Sequence, residues 1–236
     1  MTEHFKEIES TSAHLKANLD RYRHGDVVTT SFQTAGYGQR GNHWESERGA
    51  NALFSLKIEP TRIAPADGFM LTEIVTLGIL DALDIKDIKI KWPNDIYIND
   101  HKLAGILVEA TMNANAFMTA VVGIGLNLNQ TEFLSDAPNP ISLKQITGRE
   151  YDVDKVIQNV CNAILKRYDV SVDYEALHRE YLSHLYRFNE FHDYQLPTGE
   201  IFEAKITDVD KTGLLILEDR RGNCHSFEFK TIKYII

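Results

Sequence analysis

Residues 91–109 have the sequence KWPNDIYINDHKLAGILVE, in which two apolar runs of strand length flank an Asn-Asp pair at 99–100. Asparagine and aspartate tolerate the left-handed backbone that a two-residue turn requires. The stretch therefore predicts a β-hairpin whose turn lies at 99–100. Polar residues stand ahead of its first strand and around its turn, so the hairpin is also a candidate site for chemistry.

The predicted register brings a cation close to a carboxylate and an aromatic ring. With the turn at its centre, the hairpin pairs Tyr97 with Lys102. It also pairs Asp95 with Ala104, so side-chain alternation places Lys102 on the face that carries Tyr97 and Asp95. Gly105 would let a ligand approach the backbone beside them. An isolated lysine near a turn is more often a solvated surface residue, and spacing alone leaves both interpretations open.

The composition indicates an ordinary globular protein with a substantial core. With 236 residues, 43% of them hydrophobic, the chain is long enough for one large domain or for one domain with a small appendage. Cys161 and Cys224 form no ligand-spaced cluster, which argues against structural zinc or a disulfide framework and favours a reducing compartment. The first residues lack a signal-peptide pattern and no stretch reaches membrane-spanning length, so we expect a cytoplasmic protein without a membrane partner.

The charge balance disfavours a dedicated nucleic-acid binder. Asp and Glu number 34 against 25 Lys and Arg, which leaves a formal net charge of −9. Displacing counter-ions from phosphates requires a basic surface. We therefore expect no nucleic-acid partner, although a local basic spot could still bind a small anion.

Two polar stretches near the N-terminus are further candidates for a site. Ser10-Thr11-Ser12 precedes a short predicted helix, where hydroxyls either cap the helix or hydrogen-bond a small ligand. Residues 33–44, QTAGYGQRGNHW, hold three glycines in six positions. Glycines expose backbone amides to phosphate or carboxylate oxygens, and Arg40 supplies charged donors. The segment matches neither the P-loop nor the dinucleotide fingerprint, and an ordinary surface loop is the alternative.

The order of predicted elements indicates an α+β fold. We expect strands at 4–9, 27–32, 53–58, 88–90, in the hairpin and at 117–129, and helices at 10–22, at 65–83 and, as a pair, at 152–185. A central mixed β-sheet with helices packed on one face accounts for this order. Beyond residue 188, short strands separated by glycine-containing turns predict a small β-barrel. We place a boundary there, with domains at 1–188 and 189–236.

Four blocks of this sequence together resemble the biotin protein ligases, also called biotin–[acetyl-CoA-carboxylase] ligases. Residues 10–12, STS, resemble the family's Ser-Thr-Asn, and residues 33–44 resemble its Gln-X-X-Gly-Arg-Gly-Arg-X-Gly-Arg-X-Trp loop. Residues 91–109 match almost unaltered, and residues 123–129, GIGLNLN, resemble Gly-Ile-Gly-Ile-Asn-Val-Asn. The resemblance covers the whole chain. It implies a class II synthetase-like catalytic domain followed by a C-terminal SH3-like domain.

The resemblance implies a two-step reaction. Biotin and Mg²⁺-ATP form biotinyl-5′-AMP with loss of pyrophosphate, and the ε-amine of one lysine on a biotin carboxyl carrier domain then attacks the mixed anhydride. ATP and Mg²⁺ are the implied cofactors, and biotin is the substrate. Because two anions must approach each other before adenylation, a fixed ammonium lowers the barrier of the first step.

The resemblance also implies roles for individual residues. Lys102 would bridge the biotin carboxylate and the α-phosphate, Arg40 would be a second catalytic residue, and Asp95 is a candidate contributor to Mg²⁺ binding. The implied biotin-binding residues are Ser10, Thr11, Ser12, Gln33, Gly36, Tyr37, Gly38, Gln39, Lys102 and Gly105. The implied ATP-binding residues are Arg40, Trp44, Asn94, Asp95 and Asn127.

The glycine-containing loop departs from the family pattern at three positions. Tyr37 and Gln39 stand where the family often has arginines, and Asn42 replaces the last arginine of the loop. Fewer charges near the phosphate predict weaker retention of the adenylate and faster leakage of biotinyl-AMP. The glycines also predict that the loop closes when ligand binds.

The resemblance favours a short, monofunctional ligase. The chain begins almost at Ser10, which leaves no room for the N-terminal winged helix with which some family members repress transcription. A lipoate or octanoate ligase is the alternative enzyme, and a biotin-binding module without turnover is the alternative from another class. The residues leave open a homodimer through the central sheets and the identity of the acceptor carboxylase.

Overall fold

The computed structural model describes residues 1–38, 43–112, 117–134, 139–170 and 173–236. The strands in these ranges are β1 Thr2–Phe5, β2 Val27–Thr30, β3 Ala52–Ile58, β4 Ile88–Lys91, β5 Asp95–Ile98, β6 His101–Met112, β7 Phe117–Leu126, β8 Phe191–Gln195, β9 Ile201–Val209, β10 Leu215–Asp219, β11 Cys224–Phe227 and β12 Lys233–Tyr234. The α-helices are α1 Thr11–Ala17, α2 Met70–Leu83, α3 Leu143–Thr147, α4 Val153–Asp169 and α5 Tyr174–His184.

Seven strands form one sheet in the order β1-β2-β3-β7-β6-β5-β4. β1 pairs with β2 in parallel and the remaining neighbours pair antiparallel, so the sheet is mixed, as the sequence predicts. Val122 of β7 lies in the main core together with α2 and α4, whereas Val121 packs with Leu15 of α1 in a second, smaller core. Because neighbouring strand residues point to opposite faces, α1 covers the face away from α2 and α4.

The helix α2 is apolar around most of its circumference because it lies between the sheet and other helices. Ten of its residues are buried, and it packs against both α4 and α5. Gly78 allows the close approach to α4, since an added Cβ there would lie 2.8 Å from Ile164 Cα. No helix in the described ranges is long and apolar enough to span a bilayer.

Five strands form a second, antiparallel sheet in the order β11-β10-β9-β8-β12. The strands predicted beyond residue 188 are thus present. This sheet is tied to the hairpin region, because Trp92 Nε1 donates a hydrogen bond to the backbone oxygen of Gly213 at 3.0 Å. The predicted α+β class, with a mixed sheet and a smaller β-structure after it, is confirmed. The expected packing of the helices on one face was wrong, because α1 covers the face opposite to α2 and α4.

Several predicted bounds differ from the observed ones, and one helix was missed. The predicted helices at 10–22 and 65–83 are shorter as α-helices, and the predicted strand at 117–129 ends at Leu126. The first strand spans Thr2–Phe5 rather than 4–9, because its partner β2 ends at Thr30, and Ile8 makes only an isolated bridge to Gln33. The short helix α3 was missed, since five residues are too few to show a helical period. Its start does carry a local signal, a capping box between Ser142 and Gln145.

The hairpin forms as predicted, with one change of register. Tyr97 pairs with Lys102, but Asp95 pairs with Gly105, and the predicted pairing with Ala104 was wrong. The register shifts between the two pairs, so that β6 carries one extra residue there.

The extra residue is Leu103, and the pairing of residues 139–141 with Lys102 explains the shift of register. The Lys102 backbone N–H donates to the oxygen of Asn139 at 2.8 Å, and Ile141 N–H donates to the oxygen of Lys102 at 3.0 Å. Because this pairing comes from residues almost 40 positions away in the chain, the local hairpin pattern could not show it.

Candidate active site

A pocket of about 110 Å³ opens on the face of the sheet that carries α1. The odd-numbered residues of β6 and β7 form its floor, where glycines at 105, 123 and 125 leave room above the sheet. Its lining comprises Ser10, Thr11, Ser12, Gln33, Tyr37, Gly38, His43, Trp44, Phe54, Asn94, Asp95, Lys102, Gly105, Ile106, Leu107, Gly123, Ile124, Gly125 and Phe229. The structure therefore brings together the hydroxyl residues, the glycine-containing segment and the hairpin.

Lys102 carries a positive charge into this pocket. Its Nζ lies 2.7 Å from Asp95 Oδ1, and the two side chains are 22% and 20% exposed. The same Nζ lies 5.7 Å from the centroid of the Trp44 ring. The carboxylate neighbour is the predicted one, but the aromatic neighbour is Trp44 rather than Tyr97. The Tyr97 ring is buried and faces Lys91 Nζ at 5.1 Å.

The hydroxyl residues are buried and linked to each other through β3. Thr11 Oγ1 lies 2.8 Å and Ser12 Oγ lies 2.9 Å from the hydroxyl of Ser55. Thr11 also donates from its backbone N–H to Gln33 Oε1 at 2.8 Å. Ser10 is the N-cap of α1 and accepts a hydrogen bond from Ala13 N–H at 3.3 Å. The capping and ligand-binding interpretations are therefore compatible, because the Ser10 hydroxyl caps α1 while those of Thr11 and Ser12 are held at the pocket wall.

Trp44 lies on two of the floor glycines. An added Cβ on Gly125 would lie 2.7 Å from Trp44 Nε1, and one on Gly105 would lie 2.8 Å from Trp44 Cζ3. Only glycine at both positions lets the indole lie this close to the sheet. The indole N–H is buried without a hydrogen-bond partner among the described residues. The ring therefore offers a flat surface and one free donor on the predicted nucleotide side.

The two asparagines of the predicted ATP-binding set lie in different places. Asn94 lines the pocket, and its side-chain amide donates to the backbone oxygen of Ile106. Asn127 is 2% exposed and absent from the pocket lining. Its amide donates to the backbone oxygen of Ile141 at 3.1 Å, which holds the segment that pairs with Lys102. Its predicted contact with ATP stays a prediction, and its observed contacts are structural.

Besides Asn127, one predicted residue of the described ranges is absent from the pocket lining. Gly36 does not line the pocket, but an added Cβ there would lie 2.9 Å from Gln33 Nε2, so it packs directly behind a lining residue. Gln39 and Arg40, like Asn42, lie outside the described residues. The predicted roles of Arg40 in catalysis and of Gln39 in biotin binding stay predictions.

Sequence reasoning missed several lining residues. Phe229 reaches the pocket from the loop after β11 and lies edge-on to Trp92, with ring centroids 6.1 Å apart. His43 and Leu107 line the pocket beside predicted residues. Leu107 could have been found, because it lies two positions beyond Gly105 on the same face of β6. No local motif marks Phe229.

Comparison with known proteins identifies the class. The sequence profile of the Biotin/lipoate A/B protein ligase family matches residues 4–127, which include the hydroxyl cluster, the glycine-containing segment and the hairpin. The chain therefore belongs to the biotin/lipoate A/B protein ligase family.

Within this family the chain is similar to a ligase/repressor and to a biotin–[acetyl-CoA-carboxylase] ligase. It is 31% identical over 221 residues to the bifunctional ligase/repressor BirA of Escherichia coli strain K12, and the aligned stretch covers 89% of this chain and 67% of the relative. It is 29% identical over 210 residues to the biotin–[acetyl-CoA-carboxylase] ligase of Paracoccus denitrificans, and the aligned stretch covers 83% of this chain and 85% of the relative. The chain spans no more than about two thirds of the length of the ligase/repressors that it matches.

A solved structure shows the same fold over the full length of the chain. The biotin protein ligase of Aquifex aeolicus in complex with biotin and ATP superposes with a TM-score of 0.80 and covers 99% of both chains at 21% identity. The seven-stranded and five-stranded sheets thus belong to one known architecture.

Proposed function

We propose that this chain activates biotin with ATP to biotinyl-5′-AMP and transfers the biotinyl group to a lysine of a biotin carboxyl carrier domain. One observation carries the proposal. The Lys102 ammonium lies 2.7 Å from Asp95 and 5.7 Å from the centroid of the Trp44 ring, in a pocket that the hydroxyl cluster also lines. The similarity of most of the chain to proteins named as biotin–[acetyl-CoA-carboxylase] ligases supports the choice of biotin.

The Lys102 ammonium is suited to the first step. In that step a biotin carboxylate oxygen bonds to the α-phosphorus while the bond to pyrophosphate breaks. An ammonium has three N–H donors. One is directed to Asp95, so two remain for the biotin carboxylate and the α-phosphate. A cation fixed between two anions offsets their repulsion and stabilises the charge that gathers at phosphorus.

The remaining lining divides into two sides in this proposal. The biotin side is formed by α1 and Gln33. The hydroxyl of Ser55 orients those of Thr11 and Ser12, and the backbone N–H of Thr11 orients the Gln33 amide. The nucleotide side is formed by Trp44, whose ring could stack on adenine. Phe229 closes the pocket from the C-terminal sheet and excludes water from the anhydride.

Mg²⁺ enters the proposal only with ATP. No group of three or more His, Cys, Asp or Glu in the described part of the chain is placed to hold a metal ion. The carboxylate of Asp95, the predicted contributor, is already paired with Lys102. We therefore assign Mg²⁺ to the phosphates of ATP and derive no step from a metal held by the protein.

The test is ATP–pyrophosphate exchange by the purified chain with Mg²⁺ and, in turn, biotin, lipoate, octanoate or no acid. Exchange with biotin alone supports the proposal and needs no carrier protein. Exchange with lipoate or octanoate instead would make the chain a ligase for that acid. Absence of exchange with every acid, together with biotin binding by calorimetry, would favour a binding module without turnover.

The proposal includes the organisation of the chain. The catalytic part would span 1–188 and an SH3-like part 189–236, which the start of the second sheet at Phe191 supports. We place the reaction in the cytoplasm, where the free thiols of Cys161 and Cys224 would stay reduced.

The proposal also limits the partners. The net charge of −9 supports ligase activity without DNA binding, and a mobility shift of DNA by the purified chain would contradict it. The biotin carboxyl carrier domain is the proposed macromolecular partner. Whether two chains pair as a homodimer is measured by light scattering with and without biotinyl-AMP.

A further inference from the structure

Lys16, on α1 just outside the pocket lining, links three separate elements. Its Nζ lies 2.7 Å from Glu109 Oε1 on β6. The same Nζ lies 5.4 Å from the centroid of the Tyr37 ring, which belongs to the pocket wall. Residues almost 100 positions apart in the chain therefore meet beside the pocket.

The contacts of Lys16 depend on its charge. Burial acts to lower the pKa of Lys16, but hydrogen bonds to Glu109 and Tyr37 outweigh it, and the pKa is raised. The ammonium is therefore present throughout the neutral range. Glu109 Oε2 is buried without a hydrogen-bond partner among the described residues. The Glu109 carboxylate thus relies on Lys16 for a charged neighbour.

Tyr37 in turn is connected to Trp44. Tyr37 forms an antiparallel bridge with His43, and the Trp44 N–H donates to the oxygen of Gly36 at 3.0 Å. Tyr37 and Trp44 are therefore joined through paired backbone, and we expect a displacement of Tyr37 to be transmitted to Trp44.

We propose that Lys16 is a positioning residue that, anchored by Glu109, holds Tyr37 and with it Trp44 over the pocket and so slows the loss of biotinyl-AMP. Neither Lys16 nor Glu109 lines the pocket, so both act through Tyr37. The inference rests on the proposed function and adds a residue to it. It also gives Tyr37, which stands where the family motif has arginine, a role that does not need a charge of its own.

The test compares Lys16→Met with a matched control. Methionine keeps an unbranched stem and a good helix propensity but removes the ammonium. Lys205 on β9 makes the same two kinds of contact, with Nζ 3.0 Å from Glu218 and 5.6 Å from the Phe191 ring centroid, and none of these three residues lines the pocket. Lys205→Met therefore removes an equivalent ion pair and cation–π contact without touching Tyr37.

The readouts are release of radiolabelled biotinyl-AMP after rapid dilution and the kinetic constants of ATP–pyrophosphate exchange. We expect Lys16→Met to release the adenylate about three- to tenfold faster and to raise KM for biotin with a smaller change in kcat. This is the range that loss of one ordinary hydrogen bond predicts, and it applies because Lys16 and Glu109 are partly exposed. Lys205→Met should release it at the wild-type rate. Equal release by Lys16→Met and wild type would overturn the proposal.

A double-mutant cycle separates positioning from simple stabilisation of α1. If Lys16 acts through Tyr37, Lys16→Met should have little further effect on release in a Tyr37→Leu background, which lacks both the ring and the hydroxyl that Lys16 contacts. Additive effects would overturn the proposal, because Lys16 would then act by another route. A wild type that shows no biotin-dependent exchange would refute the proposed function itself, an outcome distinct from active enzymes with equal release rates.

Discussion

Replacement of Gly125 by alanine is the sharpest test of the nucleotide side. In the native structure the Trp44 indole lies against this glycine. An alanine Cβ would lie 2.7 Å from Trp44 Nε1 and 2.8 Å from Cζ2. Ordinary van der Waals contact for such atoms begins near 3.4 Å, so the ring must move outward. Because Trp44 is only partly buried, we expect it to turn into the pocket rather than to disrupt the sheet.

The displaced ring would lose its stacking geometry with adenine. Stacking of a base on an aromatic side chain contributes about 1–3 kcal/mol, which corresponds to about 5- to 150-fold in affinity. The expected result is therefore a rise of this size in KM for ATP. Since the ring has room to move, the free energy of unfolding should change by less than about 1 kcal/mol, below the usual range for overpacking of a closed core.

Two other glycines serve as matched controls. An alanine Cβ at Gly123 would collide with Ser12 Oγ on the biotin side, so Gly123→Ala should raise KM for biotin more than KM for ATP. Gly78→Ala would place its Cβ 2.8 Å from Ile164 Cα, in the packing of α2 on α4. It should lower stability by about 1–3 kcal/mol and leave both KM values nearly unchanged.

The assay is ATP–pyrophosphate exchange with one substrate varied at a time, combined with thermal unfolding of each variant. A Gly125→Ala enzyme with a wild-type KM for ATP would refute the placement of Trp44 on the nucleotide side. A loss of stability equal to that of Gly78→Ala would show instead that the indole belongs to the core.

Further outcomes follow from other parts of the molecule. Lys102→Met should slow ATP–pyrophosphate exchange about 10²- to 10³-fold with little change in melting temperature, as loss of one electrostatic contact to the transition state predicts; near-normal exchange would remove Lys102 from the mechanism. The ring nitrogens of His178 lie 2.7 Å from Glu73 Oε1 and 2.8 Å from Asp208 Oδ1. The pKa of His178 is raised, chiefly by the hydrogen bond to Glu73, because only the imidazolium can donate to both carboxylates. Its contribution to stability should therefore be complete below the ordinary histidine pKa and be lost as pH rises through the raised one. Chemical unfolding between pH 6 and 9 should show this slope in wild type and a smaller slope in His178→Gln; equal slopes would exclude His178 as the cause. The sequence alone predicts that the Gln39→Arg variant releases biotinyl-AMP more slowly than wild type. Equal release would contradict the prediction that a missing arginine weakens retention of the adenylate.

The hairpin illustrates what local sequence can predict. Its turn at Asn99 and Asp100 and the pairing of Tyr97 with Lys102 follow from turn chemistry and from alternation, which are properties of adjacent residues. The pairing of Asp95 could not be predicted in the same way. The segment at 139–141 takes up the backbone groups of Lys102, and the register shifts by one residue as a result.

The pocket shows the same division between near and distant residues. The hydroxyl, glycine-containing and hairpin residues were predicted because each block carries a recognisable pattern. Phe229 carries none, since its place in the pocket depends on how the second sheet packs against Trp92. The predicted aromatic neighbour of Lys102 was wrong for a similar reason, because Trp44 reaches Lys102 only across the glycines of the floor.

By itself, the sequence determined the family, the order of the strands and of every helix but α3, and the residue types available for the chemistry, because these depend on short motifs and on periodicity. Only the tertiary structure decided that Trp44 lies on Gly105 and Gly125, and that Lys16 joins Glu109 to Tyr37. The physical reason is that such contacts join side chains far apart in the chain. Their distances are set by the packing of α1 and of the 33–44 segment on the sheet, which no local pattern encodes.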